Sequence, residues 1–275
     1  MRRAAVAYAG GAAAHAAVAA KRLSPPGGEL VGLRSFGEVA RAAASGEVGY
    51  GVLPIESSLA GPIAETHDLL WESSLSIVAE TVIPIRHQLV ARRHVPLEHV
   101  RVIRSHPAAL EQCRRLLESL PHVRTIPAAT TAEAAAHVAE SGEEGEVAIA
   151  SQRAADIHDL VVLAQDVGDQ DAFTRFVSVA THTRLDGPGV AWRTAFSFVT
   201  DHRPGALHRA LEPFARLGID LLQLVSRPIP AAPWTYRFDC VLAGHPLEEP
   251  TREALADLRA RVRRVRVFGS YPAGA

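Results

Sequence analysis

Cysteine is scarce: Cys113 and Cys240 are the only two in 275 residues, far apart and without metal-type spacing. Two isolated thiols build no disulfide framework, so the expectation is reduced thiols in a cytoplasmic protein. A surplus of positive charge is also missing. The formal net charge is -1 and the pI is about 6.9, which removes the electrostatic case for nucleic acid or an anionic membrane. A small neutral or anionic ligand fits better. No run approaches the roughly 20 apolar residues of a membrane span. The stretch MRRAAVAYAGGAAAHAAVAAKRL has the arginine pair and small residues of a signal peptide, but its middle holds no Leu, Ile or Phe and contains Gly10, Gly11 and His15. It reads instead as a strand over 3–9 and a helix over 12–23.

Chemical motifs are missing too. There is no P-loop, no GxGxxG after a strand, no GxSxG and no HExxH, so nucleotide, nicotinamide and zinc chemistry have no motif behind them. His87, His94 and His99 lie close together in HQLVARRHVPLEH, but their spacing is not that of one helix face, and an exposed connection is the simpler reading. No cofactor and no metal are expected. Hydroxyls, amides, carboxylates and arginines remain to carry the chemistry.

What is present supports two domains: 48% of the residues are hydrophobic, enough for sizeable cores. Strand-like and helix-like segments alternate up to residue 180, the pattern of an α/β domain with a largely parallel sheet. Strands are expected at 4–9, 48–53, 76–90, 100–104, 146–150, 160–164 and 174–180, with helices at 36–45, 62–72, 107–119, 131–141 and 151–157. The aperiodic stretch 181–192, with Gly187, Pro188 and Gly189, reads as a linker. Beyond it, 193–275 reads as strand, helix, two strands, helix and strand, the βαββαβ order of a ferredoxin-like unit.

Three polar segments stand out. GVLPIESSLAGPIAETH places Glu56, Ser57 and Ser58 where a buried strand ends, before a helix expected near Pro62. RSHPAALEQC offers Ser105 or His106 as a cap over a helix with Pro107 in its first turn. DAFTRFVSV puts Thr174 and Arg175 at the mouth of the last strand of the α/β domain, where open sheets bind ligands. Each alone is a plausible turn or cap; together they outline a pocket for a carboxylate-bearing molecule.

In that order and spacing, GVLPIESSLAGPIAETHDLL, SHPAALEQC and DAFTRF resemble the signature segments of prephenate dehydratase, and the C-terminal unit resembles its regulatory ACT domain. The resemblance implies two α/β lobes like a periplasmic binding protein with the site between them, plus the ferredoxin-like domain. It implies conversion of prephenate to phenylpyruvate with loss of CO2 and water, without a metal or redox cofactor. Thr174 matches the threonine that hydrogen-bonds or protonates the leaving hydroxyl, with Arg175 as a carboxylate partner and Gln112 and Ser57 as further catalytic positions. Glu56, Ser58, Ser105, His106 and Phe176 fall at substrate-binding positions. Regulation by phenylalanine is implied at Pro204, Gly205, Ala206 and Leu207 with Ser226, Arg227 and Pro228, beginning at Arg203. A homodimer or homotetramer is expected, because an open sheet edge invites a partner.

Several positions depart from the family pattern. Ser57 stands where PIENS has asparagine; Ala14 and Ala16 lie where GPxGTFS supplies hydroxyls; Ala108 and Ala172 replace the Q of SHPQ and the N of NPTRF. In the C-terminal unit Val225 replaces the acid of ESRP and His208 the valine of GALV. Two other readings therefore stay open: a divergent relative that acts on a modified prephenate or decarboxylates it in a specialised pathway, and a non-catalytic amino-acid sensor.

Overall fold

The computed structural model describes residues 2–183, 191–229, 232 and 234–274. The expected linker around Gly187, Pro188 and Gly189 therefore lies mostly outside the described residues. The described residues form three sheets.

The first lobe runs β1 (Arg2–Ala9), α1 (His15–Leu23), β2 (Leu30–Leu33), α2 (Phe36–Ala44), β3 (Val48–Ser57), β4 (Gly61–Pro62), α3 (Ala64–Glu72) and β5 (Ser76–Ile85). The chain then crosses into a second lobe of β6 (Gln88–Ala91), β7 (Val102–Ser105), α4 (Pro107–Glu111), α5 (Arg114–Ser119), β8 (Arg124–Pro127), α6 (Thr131–Ser141), β9 (Glu146–Ala150), α7 (Gln152–Ile157) and β10 (Val161–Ala164). It returns as β11 (Ala172–Ala180), between β3 and β5 of the first sheet. In each lobe one long-range crossover strand runs against its neighbours: β11 is antiparallel to both β3 and β5, and β6 to both β10 and β9. These are the strands by which the chain enters the second lobe and re-enters the first.

Two expected elements are broken. The apolar run 76–90 bends at Arg86–His87, so β5 and β6 belong to different sheets. The helix expected over 107–119 is interrupted at Gln112 and Cys113, where Cys113 takes φ -120° and ψ 36°. Asp169 explains the interruption, because its carboxylate accepts from the Arg114 and Arg115 amides and caps a new helix from 55 residues away.

The third unit is β12 (Trp192–Val199), α8 (Ala206–Arg216), β13 (Leu221–Pro228), β14 (Tyr236–Ala243), α9 (Glu249–Arg261) and β15 (Arg264–Pro272), with strand order β13-β14-β12-β15. Its two helices cover one face through Phe196, Phe198, Phe214 and Leu258. The other face packs on the first lobe, where Ala195, Phe268 and Tyr271 join the core of Leu53, Leu70, Leu75 and Val177. Backbones touch closely there. Gly269 has φ 145°, and a Cβ on it would overlap the carbonyl oxygen of Ile77 in β5.

Candidate active site

Strands β3 and β11 build the site through their register. Ser57 lies opposite Thr174, and Glu56 lies opposite Arg175. Successive side chains on a strand point to opposite faces, so these two pairs separate. On one face Thr174 also neighbours Ile83 of β5, which packs with Phe176, Tyr8 and α1. Among the described residues no protein group bonds the half-buried Thr174 hydroxyl, which leaves it available to a ligand. The Ser57 hydroxyl accepts from the Leu59 and Ala60 amides at 3.4 and 3.3 Å and keeps its own proton to donate. The Ser58 hydroxyl accepts from the Phe173 amide at 2.9 Å, which pins the turn to β11. These serines organise their own turn rather than the start of α3, which begins two residues after Pro62.

The opposite face is ionic. Arg175 donates from Nε to Glu56 at 3.2 Å and from Nη1 to Glu80 at 3.1 Å. Burial works against its charge, but the two carboxylates outweigh it and raise its pKa. These bonds hold Nε and Nη1 on the face opposite Thr174, while the side chain keeps 30% exposure. Glu80, its side chain fully buried, also accepts from Arg193 at 2.5 Å and from the Gly274 amide at 2.8 Å. Glu56 accepts from Gln223 of β13 at 3.1 Å. The residues beside the two hydroxyls are thus tied to the C-terminal sheet.

The second lobe contributes less than its motif suggested. Ser105 is wholly buried and its hydroxyl donates to the Ile149 carbonyl at 2.6 Å, a bond inside the lobe that removes it from ligand contact. Phe176 likewise is 4% exposed and fills the core under α1 instead of meeting substrate. His106 is the N-cap of α4, its Nδ1 accepting from the Ala108 amide at 3.2 Å. Gln112, in the break between α4 and α5, meets His87 with Oε1 2.8 Å from Nε2. A cavity of about 380 Å³ opens beside them, lined by His87, Gly168, Gln170, Ala172 and Phe173 among others.

Sequence reasoning passed over His15 and dismissed His87. His15 opens α1 on the Thr174 face, and burial, followed by its coupling to the neighbouring His87 ring, lowers its pKa to about 4. His87 is also held neutral, chiefly by burial. The lobes meet at this loop: Arg153 donates to the Ala12 carbonyl at 2.7 Å, and Ala13 packs into the second-lobe core. The only earlier signal was that a histidine sat at each junction.

In the C-terminal unit, Gly205 is the left-handed N-cap of α8 (φ 73°) and Ala206 and Leu207 form its first turn. Pro204 accepts through its carbonyl from Arg209. On β13, Ser226 and Pro228 pair with Phe238 and Tyr236, which line a cavity of about 60 Å³, room for about two waters. Arg227 turns to the first lobe and donates to Asp68 at 2.6 Å, beside Arg237, which donates to the same carboxylate at 2.6 Å. Among the described residues, no hydrogen bond joins the two expected effector-binding segments.

A two-lobed α/β unit linked by two strand crossings and docked to a βαββαβ unit has the architecture of a small-molecule-binding class of protein. The family model for prephenate dehydratase matches residues 6–184, and the chain belongs to that family. The bifunctional chorismate mutase/prephenate dehydratase of Aquifex aeolicus is 38% identical over 225 residues, covering 81% of this chain and 61% of that protein. The chain thus spans about six-tenths of that relative. The crystal structure of prephenate dehydratase in complex with L-Phe from Arthrobacter aurescens is 30% identical with a TM-score of 0.89, covering 98% of this chain and 90% of that one. The solved structure of GqqA, a quorum quenching acylase, is also 30% identical, with a TM-score of 0.88 and 98% of both chains covered.

Proposed function

We propose that this chain is a prephenate dehydratase that converts prephenate to phenylpyruvate and is regulated by phenylalanine. The observation that carries the reading is the register of Thr174 against Ser57, which sets two residues with O–H groups free to donate opposite one another. Aromatisation drives the reaction downhill. The protein's task is to hold an anionic substrate and to stabilise a departing hydroxide by hydrogen bonding or protonation. Thr174 is the donor to that oxygen, and Ser57 is the second donor in place of an amide. The Gln112 amide and the His106 region of the second lobe face the carboxylates, while Arg175 and Glu56 hold β3 and β11 in register from behind.

The C-terminal unit is read as an ACT regulatory domain on its βαββαβ order and sheet arrangement. The Arthrobacter relative binds L-Phe, which supports phenylalanine as effector here, with Gly205 to Leu207 and Ser226 to Pro228 as its binding segments. A homodimer or homotetramer and a cytoplasmic location complete the proposal. Purified protein mixed with prephenate should release phenylpyruvate, followed by its absorbance, and added phenylalanine should slow the release. Hydrolysis of an acylated amide with no phenylpyruvate formed would contradict the reading.

A further inference from the structure

A buried histidine whose role is structural normally satisfies both ring nitrogens, because a buried polar atom left unpaired forfeits its hydrogen bond to water with nothing in return. His87 does not. It is 4% exposed, its Nε2 lies 2.8 Å from Gln112 Oε1, and its Nδ1 is buried without a protein partner. The ring sits at the bend where the chain leaves the first lobe, and its carbonyl accepts from the Val167 amide of the returning crossover. The Gln112 carbonyl accepts from the Asp169 amide of that same crossover. His87 and Gln112 are therefore fixed to one another through side chains and to the return segment through backbone.

The chemistry of the contact sets its polarity. With the amide oxygen toward the ring, Nε2 carries the proton and Nδ1 is left as a bare acceptor. Burial keeps the ring neutral, which maintains that arrangement. The Gln112 NH2 group is then turned from the ring, and among the described residues it has no protein acceptor. A fixed amide donor with no protein acceptor, held by a histidine that itself lines the 380 Å³ cavity, suits a carboxylate or carbonyl oxygen. We propose that His87 is a positioning residue for the reaction proposed above, holding Gln112 so that its NH2 points at an oxygen of the anionic substrate.

The inference rests on the dehydratase reading, and a set of substitutions assayed with prephenate separates the two. Glutamine at 87 places an amide nitrogen near Nε2, whereas asparagine reaches only the Nδ1 position. His87→Asn should lower kcat/KM about 10- to 100-fold, the usual cost of releasing a group that orients a ligand-binding residue. His87→Gln should restore most of it. In a Gln112→Leu background, His87→Asn should add nothing, because its route of action is gone. A His87→Asn enzyme as active as the wild type, a His87→Gln enzyme as impaired as His87→Asn, or effects that multiply with Gln112→Leu would each overturn the assignment. A wild-type chain that forms no phenylpyruvate overturns the functional reading and this inference with it.

Discussion

Replacing Glu80 by glutamine tests how the two domains are held together. The Glu80 side chain is fully buried and serves Arg175, Arg193 and the Gly274 amide at once. Glu80→Gln keeps the shape but removes the charge, and its NH2 must face a guanidinium or a backbone N–H. Breaking one partner out of a buried ion pair costs about 3–5 kcal/mol, most of it the stranded charge. Here the two arginine side chains keep 30% and 23% exposure, so water offsets part of that cost. Arg175 also keeps Glu56. The expected loss is about 2–4 kcal/mol, or roughly 5–15 °C in melting temperature at this chain length. Urea unfolding of the wild type and variant, with unchanged slopes, measures it. A loss below about 1 kcal/mol would show that the Arg175–Glu80–Arg193 cluster does not anchor the C-terminal sheet.

Gly269→Ala should destabilise by about 1–3 kcal/mol, since the added Cβ meets both a left-handed backbone and the Ile77 carbonyl; a melting temperature within about 1 °C of wild type would contradict the close docking. Acid should also weaken the fold through His15. Its native pKa of about 4 lies below the ordinary 6.5, so between those values the unfolded chain binds more protons and stability falls as pH falls. From pH 7 to pH 5 the loss from this ring is about 2 kcal/mol at most, and His15→Asn should remove that part of the pH dependence in urea midpoints.

The parts of the fold governed by local pattern were legible. Alternating segments revealed the α/β character of the first 180 residues, the division into two lobes followed only from the family resemblance, and the helix face of Leu207, Ala210, Leu211 and Phe214 with Gly218 beyond it marked α8. What escaped was imposed from a distance. Leu110, Cys113, Leu116 and Leu117 keep one apolar face across the break in the helix, because all four pack in one core, and only Asp169 reveals the second cap. The TR pair of DAFTRF reads as one site in sequence, yet strand alternation sends its hydroxyl to the lobe junction and its guanidinium to Glu80, 95 residues earlier. His87 looked like part of an exposed connection because nothing nearby announced Gln112 as its partner.

The role of Thr174 is tested most directly by turnover of prephenate in three proteins: wild type, Thr174→Ala and Thr174→Ser. A positioned donor to the departing hydroxyl predicts that kcat falls about 10²- to 10⁴-fold in the alanine variant, with its urea midpoint little changed, and that serine retains most of the rate. An alanine variant that releases phenylpyruvate at nearly the wild-type rate would contradict the account.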